Sequence, residues 1–207
     1  MKISAHYKED LQLNHILQRF NSIEISEEFK ILLSNLTEDN DSFNVNDFYS
    51  FDLSEVLSYL KSSHDYYLNS CLPKIENTLS QLSLKNKEND RSTKVFTSML
   101  NKYKSDLINH INEEEKVLFA YVEKLLAGNR FNNESKYVLN HFIHSHNDEV
   151  VLEIDLLKKA MIRFNSELEG DLLFEVLFDQ LELLQNDLTI HALIEDHVFV
   201  PMILDQA

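Results

Sequence analysis

Four stretches of the chain carry apolar residues at alternating steps of three and four, the period of an amphipathic α-helix. The first stripe runs through Leu53, Leu57, Leu60, Leu68, Leu72, Ile75 and Leu79, and the second through Met99, Tyr103, Leu107, Leu118, Tyr121 and Leu125. The third is Leu139, Phe142, Val150, Ile154, Leu157 and Met161, and the fourth Leu177, Leu181, Leu184, Leu188, Val198 and Met202. Polar breaks with helix-capping residues separate them. The pattern predicts helices from about Leu53 to Leu84, from the N-cap candidates Asp90 and Ser92 to Gly128, from Asn132 or Asn133 to about Asn165, and from about Asp171 to Pro201 or slightly beyond. Pro73 falls inside the first of these and predicts a kink, with a bend just after His64.

Residues 1–51 read as a helical N-terminal extension and residues 52–207 as the main domain. The extension offers helices over Lys8 to Phe20 and around Ser26 to Leu36, then a loop at TEDNDSFNVND. Its apolar content is enough to dock on a larger body and hardly enough to fold alone.

Composition narrows the class. A chain of 207 residues with 43% hydrophobic content supports one domain with a sizeable core, or one domain plus an appendage. Only two glycines and two prolines leave too few turn residues for a strand-rich fold. An all-α, antiparallel up-down four-helix bundle is the expected architecture. A net charge of −16 repels nucleic-acid phosphates and anionic membranes, and no basic run offsets it, so neither is an expected partner. The single cysteine, Cys71, forms no internal disulfide and suits a reducing compartment. With no signal-type run at the N-terminus and no long apolar segment, a cytoplasmic protein is expected.

Six polar residues interrupt the stripes in phase with them. His64 sits in the first, His110 and Glu114 in the second, His146 in the third, and His191 and Glu195 in the fourth. Each His–Glu pair is spaced by four, which puts both side chains on one helix face about one turn apart. Phase selects His146 over His141 and His144. In an antiparallel bundle, residues at similar distances from a shared loop are level. Each histidine lies roughly 13 to 20 residues from its loops, so the four are expected in one layer.

Burying two carboxylates and four imidazoles costs several kcal/mol per charge unless they are compensated, at roughly the level known for buried ions. A hydrogen-bonded His–Glu network is one solution. A metal centre is the other, and two pairs with two further in-phase histidines favour it. Six donors exceed a closed tetrahedral zinc site, and two carboxylates that bridge suit a dinuclear centre, with iron favoured and manganese or zinc fitting by the same count. Glu115 and Glu149 are neighbouring alternates, read as solvent-facing or supporting, and Asp196, five residues after His191, competes with Glu195 for its role. Tyr67, Tyr103 and Tyr121 lie near the stripes, where tyrosine packing is the usual role.

These residues resemble the haemerythrin-like domain over about residues 52 to 205. HINEEEKVLF from His110 is similar to that family's H-x-x-x-E-E-x-x-L-F helix, and HALIEDHVFVP from His191 to its H-x-x-x-E-N-x-x-F-P ending. The resemblance implies a non-haem di-iron centre, oxo- or hydroxo- and carboxylate-bridged, with Glu114 and Glu195 as bridges and the four histidines as terminal ligands. Oxygen carriers of the family have a further histidine where this chain has Val150. The set of four histidines and two glutamates looks more like the repair-of-iron-centres branch, implicated in restoring iron-sulphur clusters after nitrosative or oxidative damage. ILQRF and NVNDF are similar to that branch's small N-terminal module, although residues 1–51 lack its cysteine and glycine-rich turn. The implied partners are nitric oxide or oxygen and iron-sulphur proteins. The alternatives are a non-catalytic oxygen- or nitric-oxide-binding, sensing or iron-storage module, and a helical interaction protein with a polar core. The ligand set is common to turnover, iron donation and sensing, because the cofactor carries the chemistry.

Overall fold

The computed structural model describes residues 23, 25–85, 90–129, 133–145, 149–164 and 171–206. The fold is all-α, with no strand among the described residues. The helices are α1 (Glu27–Glu38), α2 (Leu53–Tyr66), α3 (Leu72–Lys85), α4 (Asp90–Glu114), α5 (Ala120–Leu126), α6 (Asn133–Ser145), α7 (Glu149–Phe164), α8 (Leu172–Ile194) and α9 (Val200–Gln206). Three π turns, Tyr67–Cys71, Glu115–Phe119 and Glu195–Phe199, continue α2 into α3, α4 into α5 and α8 into α9. The helix expected over Lys8 to Phe20 lies outside the described residues. No described helix is long and apolar enough to cross a membrane.

The chain divides into two compact units, one of Met1–Tyr66 with Thr189–Ala207 and the other of Tyr67–Leu188. Residues 25–51 thus group with α2 and the C-terminal end of the chain rather than standing apart from residue 52 onward.

In the first unit, the Ser26 hydroxyl caps α1 by accepting from the Phe29 N–H at 3.4 Å, and Glu27 and Glu28 favour the positive end of the helix dipole. The Ser26 N–H donates to the Glu55 carboxylate at 2.7 Å, and the Asp52 N–H reaches the same carboxylate at 3.4 Å. One side chain thus ties the start of α1 to the start of α2. The face of α1 that carries Phe29, Leu33 and Leu36 is buried. Phe29 stacks on Phe51 at 4.7 Å and meets Phe48 and Tyr59 edge-on, each at 5.9 Å. The expected loop at residues 37–47 contains the 3-10 turn Asn40–Ser42 and leads into a second, Val45–Phe48, which the Asn44 side chain caps. That second turn packs on the π turn Glu195–Phe199, as does α2.

In the second unit, α4 packs against α3 and α7, and α6 against the π turn Glu115–Phe119. The interior of α4 comprises Phe96, Leu100, Tyr103, Leu107 and Ile111. Ion pairs run along these faces: Lys104–Glu76 at 2.7 Å joins α4 to α3, and Lys102–Glu153 at 3.0 Å joins α4 to α7. Lys85 meets Asp171 at 2.7 Å, and Asp171 in turn caps α8 by accepting from the Leu173 N–H. Such surface pairs contribute little energy but are consistent with the helix neighbours that burial dictates.

The end of the second predicted helix is sharply built. The Gly128 N–H donates to the Leu125 carbonyl at 2.9 Å and the Asn129 N–H to the Lys124 carbonyl at 3.0 Å, with Gly128 at a φ of 77°. This pair of hydrogen bonds satisfies the last orphan carbonyls through the left-handed conformation that glycine adopts at least cost.

The break expected at Pro73 takes the form of the π turn just ahead of it, Tyr67–Cys71. Pro201 occupies the same place relative to Glu195–Phe199, two residues beyond the turn. A proline lacks the N–H that an α-helical ladder needs, and a widened turn before it absorbs both the missing bond and the ring. The extra residue also slips the buried face: Tyr67 and Cys71 are buried beside a half-buried Leu68, and Ile203 is buried where the stripe predicted Met202.

Candidate metal centre

The three π turns adjoin residues singled out as ligands. One begins three residues after His64, one directly follows Glu114, and one begins on Glu195. Single π turns inside α-helices recur at functional sites, because widening one turn re-aims the side chains beside it.

His64, His191, Glu114 and Glu195 are 1%, 4%, 0% and 3% exposed, which for two carboxylates demands compensation. The His64 and His191 rings lie 5.0 Å apart between centroids, with planes at 39°. His191 Nε2 is 3.3 Å from Glu195 Oε2, and His110 Nε2 is 2.9 Å from Glu114 Oε1. His64, His191 and Glu114 are each a possible metal donor: imidazole nitrogens and carboxylate oxygens are of the kind that iron, zinc and manganese accept.

His110 stands at the edge of the seam, half-buried, and its neighbour Ile111 is the buried one. The i to i+4 relation still brings its ring to Glu114. His146 lies outside the described residues. Of the alternates in the third stretch, His141 is exposed and rings with the equally exposed Tyr137 at 6.3 Å. Glu115 and Asp196 are both exposed, whereas Glu114 and Glu195 beside them are buried. In each motif the first of the two carboxylates is the buried one.

Tyr67, Tyr103 and Tyr121 are all buried. Burial pushes the Tyr103 phenol far above its ordinary range, with Cys71 and Glu153 adding to the effect, so it stays neutral. Burial also raises Tyr121. One neighbour of the candidate ligands was not foreseen: Tyr59, 1% exposed, has its ring 6.5 Å from that of His191. Its position beside Leu60 in the sequence marks it as core, and nothing in the spacing distinguishes a tyrosine that packs on a ligand from one that only fills space.

Compared with known proteins, the chain matches no family model, no curated protein and no solved structure.

Proposed function

We propose that this chain is a non-haem di-iron protein of the haemerythrin-like type that acts in the repair of iron-sulphur clusters or the response to nitrosative and oxidative stress. The observation that carries the reading is the buried pair of imidazoles His64 and His191, whose ring centroids lie 5.0 Å apart, with Glu195 3.3 Å from His191. It is supported by the two His–Glu pairs and by the burial of Glu195. In this reading the long helices form an antiparallel four-helix bundle, and His110, His146 and Glu195 complete the ligand set.

Iron bound there supplies redox chemistry toward nitric oxide or oxygen. The protein's own part is to hold, orient and shield. Glu114 and Glu195 are buried carboxyl groups whose oxygens would offset the charge of a bound metal ion. The His191 imidazole packs on the rings of Tyr59 and His64, all three of them buried.

The carrier-like alternative uses Asp196, five residues after His191, in place of Glu195. Exposure of Asp196 argues against that use. The deciding experiment is iron quantification with visible and Mössbauer spectra on anaerobically prepared protein, followed by incubation with an iron-sulphur enzyme inactivated by nitric oxide. Two irons per chain and recovery of the enzyme are expected. Iron binding without recovery would leave a sensing or storage role, and absence of iron would end the di-iron reading.

A further inference from the structure

Residues 25–51 read from sequence as an appendage, yet their aromatic side chains lead straight to a candidate ligand. Phe29, fully buried, stacks on Phe51 at 4.7 Å and has the Tyr59 ring edge-on at 5.9 Å. Tyr59 then faces His191, with centroids 6.5 Å apart and planes at 42°. His191 also meets His64, with centroids 5.0 Å apart. The start of α1, which carries Phe29, is fastened to α2 by the Ser26–Glu55 hydrogen bond, one turn before Tyr59. The same segment touches the second motif as well, since Val45–Phe48 packs on Glu195–Phe199 and Phe43 rings with His197 at 6.2 Å.

We infer that Tyr59 is a positioning residue for the His191 imidazole and that Phe29 holds Tyr59 in place, so that residues 25–51 belong to the support of the metal centre. The inference rests on the metal reading above. Its physical basis is that an imidazole on a helix can rotate about its own bonds. A ligand nitrogen keeps its aim only if the ring is wedged or hydrogen-bonded from outside, and such supports change metal affinity by about 10- to 100-fold. Here the wedge is aromatic. Tyr59 and His64 both pack on the ring, and a close-packed interior transmits a change at Phe29 to Tyr59 and from there to the histidine. A further consequence is that the aromatic cluster excludes water from this side of His191, which slows metal loss.

The test uses the full chain loaded with cobalt(II), whose visible bands report ligand geometry, and measures release to a chromophoric chelator. Tyr59→Leu is expected to shift the bands and speed release about tenfold, whereas Tyr59→Phe keeps both at wild-type values. Phe29→Leu, chosen because it folds more readily than an alanine there, gives a smaller change in the same direction. Leu36→Ala, buried two turns further along the same helix, lowers the melting temperature and leaves the bands alone. Wild-type bands and release in both Tyr59→Leu and Phe29→Leu overturn the inference. If the wild-type chain takes up no cobalt, the metal reading fails separately, and the His191 ring-proton shifts of the metal-free protein decide. Movement in Phe29→Leu but not in Leu36→Ala upholds the positioning, and unchanged shifts overturn it.

Discussion

The rings of His64 and His191, from α2 and α8, lie 5.0 Å apart between centroids. Two imidazole rings this close inside an apolar interior can offer nitrogens to one metal ion. The pair is therefore a sensitive probe. Replacing either by Ala should weaken metal binding at least about 100-fold, beyond the range that supporting residues produce. His141→Ala, at an exposed position, should leave binding unchanged. Titration with iron(II) under anaerobic conditions measures both, and equal affinity in all three variants would remove the two histidines from the site.

Glu195 is buried and Asp196 exposed, and the same contrast separates Glu114 from Glu115. Glu195→Ala and Glu114→Ala should each lower the metal content of the purified protein, while Asp196→Ala and Glu115→Ala retain it. A loss confined to Asp196→Ala would instead indicate the carrier-type spacing.

Metal removal should destabilise the chain. A group that binds the native state alone stabilises it by mass action, by about 2.7 kcal/mol when the free ligand is at 100 times its dissociation constant. Thermal melts of chelator-treated and iron-reloaded protein should therefore differ, and Glu114→Ala should melt at the same temperature with or without iron. A reloaded wild-type protein that melts with the stripped one would count against a buried site.

Glu55 gives a pH dependence. Partial burial alone would raise its carboxyl, but hydrogen bonds from the Ser26 N–H and side chain and from the Asp52 N–H outweigh it, and the pKa falls below its ordinary 4.5. A depressed carboxyl pKa contributes stability above the unfolded-state value and loses it as pH falls through the folded one. Glu55→Gln should thus lower the urea midpoint at pH 7, and the gap from wild type should close below about pH 4. A gap that is constant with pH would mean that the carboxylate charge is not what fastens α1 to α2.

Gly128 sits at a φ of 77°, and a Cβ there would meet nothing within 4 Å. The cost of Gly128→Ala is then backbone strain alone, about 1 kcal/mol. Equilibrium unfolding should show that loss with metal binding intact, and Gly128→Asn should lose less, because asparagine tolerates the left-handed region better.

Helix period alone placed His64, Glu114, His191 and Glu195 on inward faces, and all four are buried. Residue type did the same for the ends of the helices: Gly128 closes α5, Asp171 caps α8, and Ser26 caps α1. These are local properties, fixed within a turn or two, and a sequence carries them openly. Three features were decided elsewhere. At the π turns Tyr67–Cys71 and Glu195–Phe199 the core takes Tyr67 rather than Leu68 and Ile203 rather than Met202, since a widened turn changes which of the residues beside it face inward. Ile111 is buried while His110 lies at the margin of the seam. Phe29, from a segment whose own pattern shows only helix and loop, packs on Tyr59, whose ring in turn lies 6.5 Å from that of His191. Periodicity states which face of a helix is apolar, but which residue on that face meets which partner depends on packing between segments distant in the chain.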